Sequence, residues 1–202
     1  SAGPGAPGAR RIALVIGSGS VKCAAAIGIQ SVLLREGIGL DMVVGCSAGA
    51  IYAATMAAGH RAEVAADMTR KLWTKEAAQR RNTRAMLQVL APRLLGFDKA
   101  TFGLRDDRLI MSRLKQAFGD ARIEDMKIPL HIAATDFANG EQVVLSSGSV
   151  VDAVRASIAL PFAFSPRKIG DRLLVDGFLS DPLPIGVAIR QGANVIVAAG
   201  FE

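Results

Sequence analysis

The sequence predicts an α/β domain of three layers, with helices on both faces of a mainly parallel central sheet. Two stretches and the composition carry that expectation. Residues 11–16 form a short apolar strand that runs into the loop Gly17-Ser18-Gly19-Ser20-Val21-Lys22-Cys23, followed by a helical stretch over 24–35 that Gly37 stops. Residues 40–44 repeat the pattern: an apolar strand, the turn Gly45-Cys46-Ser47-Ala48-Gly49, and an alanine-rich helix over 48–58 closed by Gly59. Two successive strand-loop-helix units imply parallel strands whose crossover helices cover the sheet. With 202 residues, 50% of them hydrophobic, the chain can bury one substantial core.

The remaining elements follow in order. Residues 61–79 have amphipathic helical spacing, with Val64, Met68, Leu72 and Trp73 apolar among charged neighbours. Over 80–102, Arg80, Arg81, Arg84, Arg93 and Lys99 alternate with Met86, Leu87, Leu90, Leu94, Leu95, Phe97 and Phe102. Two readings stay open for that segment: a cap or interfacial surface, or an ordinary helix pair broken at Pro92 with a solvated basic face. A helix over 107–118 ends at Gly119, and 128–135 reads as a strand. The turn Ala138-Asn139-Gly140-Glu141 leads into a second strand over 142–145. Residues 149–157 have helical spacing, Pro161 and Pro166 break the chain, and 167–169 pairs with 172–175 across Gly170-Asp171. That hairpin delivers Asp176-Gly177. A last helix over 184–190, capped by Gly192, and a strand over 194–199 complete the pattern.

Composition narrows the function classes. No apolar run reaches the roughly 18 to 20 residues that a membrane span needs, so a soluble protein with a default cytoplasmic placement is expected. Residues 1–10 are rich in glycine, proline and alanine and read as a flexible linker; 11–202 is taken as one domain. The two cysteines, Cys23 and Cys46, form no disulfide framework, and no Cys/His cluster has metal-ligand spacing, so neither metal nor cofactor is expected. The net charge of +6 comes from scattered basic residues with only 5% aromatics and no nucleic-acid motif. Nucleic acid is therefore not expected as a partner. Peripheral contact with an anionic membrane surface accounts for the charge at least as well.

The chemistry centres on Ser47. A serine between Gly45 and Gly49 at a strand-to-helix turn is a nucleophile elbow, since the small flanking residues let the backbone bend sharply and expose the hydroxyl. A serine nucleophile needs a base, and the two histidines are badly placed. His60 lies beyond the far end of the helix that starts at Ser47, and His131 sits inside a strand with no histidine after it. A desolvated carboxylate can serve instead. Asp176, at the end of a strand and before Gly177, is the strongest candidate; Asp136 begins a polar turn and is expected to shape it. The loop Gly17, Ser18, Gly19, Ser20, Val21 and Lys22 offers backbone donors for an oxyanion at a helix start. It has neither the ending of a phosphate-binding P-loop nor the glycine spacing of a dinucleotide site. Cys46 is read as a small buried hydrophobe and both histidines as structural. For Lys22, a contact to a lipid phosphate or a brace for the loop stands against a solvated lysine.

Three segments in this order, Gly17 to Lys22, Gly45-Cys46-Ser47-Ala48-Gly49 and Asp176-Gly177, resemble the patatin-like phospholipases, in particular the bacterial branch. The resemblance runs over about 11–199 and includes Thr135-Asp136 and Arg155-Ala156-Ser157-Ile158-Ala159-Leu160-Pro161. It implies a Ser-Asp dyad lipid acyl hydrolase working without a metal: Ser47 attacks the ester carbonyl, Asp176 accepts the proton, and the glycine loop holds the oxyanion. Its substrate would be a phospholipid, lysophospholipid or other acyl ester. Relatives of this kind often continue past a strand like 194–199, so a further C-terminal portion is expected.

Three positions depart from the family pattern. Cys23 stands where the loop usually ends in glycine, so either the backbone there needs no positive φ or the oxyanion loop is distorted. Ala26 replaces a histidine, and Phe178 replaces a small residue after Asp-Gly. They motivate a second reading, a weak or non-catalytic member that binds lipid or a protein partner. Acyl transfer to an alcohol or a carrier protein is a third.

Overall fold

A computed structural model of the chain describes residues 10–60, 64, 66–67 and 102–201. Within them lie strands β1 (Ile12–Ile16), β2 (Met42–Cys46), β3 (Leu130–Asp136), β4 (Gln142–Leu145), β5 (Arg167–Ile169), β6 (Arg172–Asp176) and β7 (Val195–Ala199). The described helices are α1 (Ala25–Arg35), α2 (Ala48–Ala57), α3 (Arg108–Phe118), α4 (Val150–Ser157) and α5 (Ile185–Arg190). The linker expected over 1–10 lies outside the described residues apart from Arg10. So do the segments expected over 61–79 and 80–102, Trp73 included, apart from helical Val64, Ala66 and Asp67 and the buried Phe102.

The strands form one sheet in the order β5-β6-β3-β2-β1-β7, with β4 added to β3. Strands β7, β1, β2 and β3 run parallel to one another, whereas β4, β5 and β6 join antiparallel. Every residue of β2 and β3 is buried, as near-continuous apolar strands covered on both faces must be. Alternate side chains of β1 and β2 supply two cores. Leu14, Ile16 and Val43 join Leu130 and Ile132 and pack with α1, α2, α3 and α4; Ala13, Val15, Met42 and Val44 pack with Val187 and Ala188 of α5. Three layers result, as the two strand-loop-helix units predict.

Helix α2 has all ten residues buried and touches the sheet, α1 and α4. Its small side chains allow that depth. A Cβ on Gly45 would stand 2.5 Å from Ala50 Cα and 2.9 Å from Ala50 N, and a Cβ on Gly49 would overlap the carbonyls of Ile16 and Gly17. Glycine at these two positions lets α2 double back onto β2 and brings the end of β1 against the first turn of α2.

Strand β3 has a forked environment. On one edge β4 pairs with residues 132–135; on the other, β2 pairs with 130–133 and β6 continues with 134–136. Because β2 runs parallel to β3 and β6 antiparallel, the C-terminal ends of β2 and β6 meet along that edge. Cys46 lies beside Ala133 and Asp176 beside Ala134. Helix α4 crosses behind this junction, capped by Ser149, whose hydroxyl accepts from the Asp152 amide at 3.2 Å. Its buried Arg155 ties it to Asp107 ahead of α3 at 2.7 Å and to the Ser165 carbonyl at 3.1 Å. Among the described residues no helix is long and apolar enough to cross a membrane.

Candidate active site

The elbow is built as its sequence requires. Ser47 has φ 54° and ψ −129°, a conformation that a residue with a Cβ adopts only at a cost of about 1–3 kcal/mol. It stands at the N-cap of α2, yet its hydroxyl makes no cap bond to the helix. Instead Ser47 Oγ donates to Asp176 Oδ2 at 2.9 Å across 129 residues of chain. The backbone strain aims the hydroxyl at the carboxylate.

Asp176 is 3% exposed and held from both sides. Its Oδ1 accepts from the Phe178 amide at 2.9 Å, its own amide donates to the Ala159 carbonyl at 3.0 Å, and its carbonyl accepts from Thr135 Oγ1 at 2.8 Å. Burial lifts its carboxyl to a pKa of about 6, partly opposed by the bonds from the Phe178 amide and the Ser47 hydroxyl. A carboxylate of that basicity is ionised at neutral pH and accepts a proton more readily than an exposed aspartate. Gly177 permits the close turn: a Cβ there would meet the Ala133 carbonyl and lie 2.9 Å from Cys46 Sγ.

Two of the three departures from the family pattern, Cys23 and Phe178, have structural answers. Residues Ser20–Ala24 form a 3-10 turn leading into α1, where the sequence predicts only a loop. Cys23 lies inside this turn and is not among the described non-glycine residues with positive φ, which are Ser20, Ser47 and Phe162. Of the two alternatives for position 23, the backbone therefore needs no glycine. The Cys23 thiol is fully buried and donates to the Gly17 carbonyl at 3.3 Å, tying the two ends of the loop. Burial raises its pKa to about 11. Phe178 is half-exposed, and it is its backbone amide, available to any residue but proline, that holds Asp176.

Donors in the glycine loop divide into two groups. Gly17 N–H bonds to the Ala199 carbonyl at 2.9 Å, Ser18 N–H to the Pro182 carbonyl at 2.8 Å and Lys22 N–H to the Gly19 carbonyl at 3.1 Å. These three of the six loop amides are engaged in holding the loop. The amides of Gly19, Ser20 and Val21 have no backbone partner among the described residues, and neither does that of Ala48, the first residue of α2. An open groove of about 630 Å³, lined by Ser18, Phe178, Pro182, Leu183, Gly200 and Phe201, joins this loop to the residues after Asp176.

The other candidates fall where the sequence places them. Asp136 Oδ1 accepts from the Ala138 amide at 2.8 Å and shapes its turn. His131 Nδ1 pairs with Ser146 Oγ at 2.7 Å, its pKa lowered by burial, and the His60 carbonyl accepts from Gln30 Nε2 at 3.1 Å. The His131 ring thus has a partner away from Ser47, while the bond at His60 is to its backbone. Cys46 is buried and its thiol pKa is raised, first by burial and then by the charges of Asp176 and Asp181, which makes it a poor nucleophile. Lys22 is exposed beside the loop. Sequence reasoning missed Ser157, whose buried hydroxyl contacts the elbow; its only signal was its place within the stretch from Arg155 to Pro161.

The comparisons with known proteins bear on the family and the fold. A family profile described as patatin-like phospholipase matches residues 14–189. The uncharacterized NTE family protein Rv1063c of Mycobacterium tuberculosis is 31% identical over 192 residues, covering 95% of this chain and 49% of that protein. Patatin-like phospholipase domain-containing protein 7 of Mus musculus is 30% identical over 190 residues, covering 93% of this chain and 13% of its own length. The chain thus spans about half, or much less, of the relatives it matches. Among solved structures, VipD from Legionella pneumophila superposes with a TM-score of 0.53 at 17% identity, over 89% of this chain and 47% of that one, a likeness of fold. With the family profile covering most of its length, the chain belongs to the patatin-like phospholipase family.

Proposed function

We propose that this domain is a serine lipid acyl hydrolase, of the phospholipase A, lysophospholipase or carboxylesterase type, that works with a Ser47-Asp176 dyad. The observation that carries the reading is the 2.9 Å bond from Ser47 Oγ to a buried carboxylate whose pKa is raised to about 6. Ser47 Oγ attacks the ester carbonyl while Asp176 Oδ2 takes its proton, and the carbonyl oxygen gains the negative charge. Amides of Gly19, Ser20 and Val21, with that of Ala48, are the donors for this oxyanion. Asp176 then protonates the leaving alcohol. Water, activated by the same carboxylate, attacks the acyl-serine, releases the fatty acid and restores Ser47.

The open groove lined by Phe178, Leu183 and Phe201 next to Ser18 supports an acyl-ester substrate, because it sets apolar side chains beside the glycine loop. The net charge of +6 favours anionic headgroups at a peripheral membrane contact. A fluorophosphonate probe tests the reading. Intact-mass and peptide analysis should place one adduct on Ser47, lost in Ser47→Ala; folded protein that takes no adduct would overturn it in favour of a non-catalytic binding member.

A further inference from the structure

Ser157, the last residue of α4, is fully buried, and its hydroxyl is used twice. It donates to the Ala133 carbonyl at 2.6 Å and accepts from the Ser47 amide at 2.8 Å. These partners are the two sides of the catalytic junction. Ala133 is the residue of β3 beside which β2 ends, and it adjoins Ala134, the partner of Asp176. The Ser47 amide belongs to the strained elbow: at φ 54° it is turned out of both the strand ladder and the helix, so within the fold it needs an acceptor supplied from elsewhere.

We propose that Ser157 is a positioning residue for the nucleophile: its hydroxyl locks the positive-φ conformation of Ser47 to strand β3, and so holds Ser47 Oγ on Asp176. This rests on the dyad reading above for its catalytic consequence, but not for its structural one. The reasoning is local. A hydroxyl is one of the few groups that both donates and accepts, so one small side chain satisfies a carbonyl and an amide that face each other. Remove it, and the part-buried Ser47 N–H and the buried Ala133 C=O both lose that partner. The elbow can then relax toward an ordinary helix start, where the Ser47 hydroxyl caps α2 instead of facing Asp176. Displacement of a reacting atom by about 1 Å costs on the order of 10²-fold in rate.

The test compares two serines of the same helix. Ser149 caps the start of α4, and Ser149→Ala weakens that helix without touching Ser47. Three readouts are taken on each variant: hydrogen exchange of the Ser47 amide by NMR, the split between kcat and KM on a soluble chromogenic ester, and the midpoint of the pH–rate profile. Ser157→Ala should lose protection at the Ser47 amide, lower kcat by about 10- to 100-fold with KM within about twofold, and move the pH midpoint upward. The last follows because the Ser47 hydroxyl bond lowers the Asp176 pKa. Ser149→Ala should lower the Tm and leave all three readouts in place. Ser157→Thr, which keeps the donor and acceptor, should restore protection and rate. Should Ser157→Ala give no folded protein, Ser157→Cys, with a weaker and longer bond, takes its place and should fall in between. Unchanged Ser47 protection in the Ser157 variants, or equal effects from Ser149→Ala, would overturn the proposal. An enzyme without hydrolysis would instead sink the dyad reading, while the amide exchange would still decide this one.

Discussion

Ser47 and Asp176 meet because the strands carrying them run toward each other along one edge of β3. Strand β2 ends with Cys46 beside Ala133, β6 ends with Asp176 beside Ala134, and the turn after each strand closes the remaining gap to 2.9 Å. Gly177 is needed at this junction because a Cβ there would press on Cys46 Sγ. On the proposed reading, the base comes from an antiparallel strand inserted where a parallel sheet would place its next parallel strand.

The dyad makes a definite demand on pH. Asp176 works as a base only when ionised, and its pKa is about 6. The value of kcat/KM should rise with pH through a midpoint near 6 and level off above it. A midpoint near 4, the value of an exposed aspartate, would mean that Asp176 is not the titrating base. The profile is measured on an uncharged ester so that the substrate contributes no titration.

The same burial has a consequence for stability, with its sign fixed by linkage. The folded protein holds a proton on Asp176 up to about pH 6, whereas the unfolded chain gives it up near 4. Between these values the native state binds more protons, so this group's contribution to stability falls as pH rises through the window. Above it the buried charge is a standing cost. Asp176→Asn should therefore raise the Tm at pH 8 relative to the parent, by an amount on the order of 1–3 kcal/mol in unfolding free energy, and lose that advantage at pH 4. Thermal unfolding by circular dichroism at the two pH values checks it.

Both thiols should be silent in the native protein. Cys23 and Cys46 are fully buried and free, and burial raises the pKa of each. A thiol-reactive chromogen should titrate none of the two cysteines before denaturant and both after it. Rapid reaction of Cys23 in folded protein would show that the glycine loop opens without global unfolding.

Much of this site is legible in the sequence because its largest determinants are local. The apolar strand before Gly45, the alanine run after Gly49 and the Asp-Gly pair at the end of β6 each fix backbone geometry within a few residues, and the structure keeps them within one or two positions. What depends on residues distant in sequence is not legible. Nothing near Gly17 or Ser18 reveals that their amides are taken by Ala199 and Pro182, so a run of loop donors reads as uniformly available. Ser157 is 110 residues from Ser47 and ends an unremarkable helix; only the fold brings its hydroxyl to the elbow. Cys23 shows the reverse. Read by pattern it stands in a place for glycine, while the short turn Ser20–Ala24 makes it an ordinary buried position.

The central claim, that Ser47 and Asp176 together hydrolyse an acyl ester, is tested most directly by release of fatty acid from a lysophospholipid and from a series of chromogenic esters. Parent protein, Ser47→Ala and Asp176→Asn are compared at pH 8, each first shown by circular dichroism to be folded. The dyad predicts hydrolysis by the parent and a loss of at least about 10³-fold in both variants. Hydrolysis that persists undiminished in folded Ser47→Ala or Asp176→Asn would contradict it.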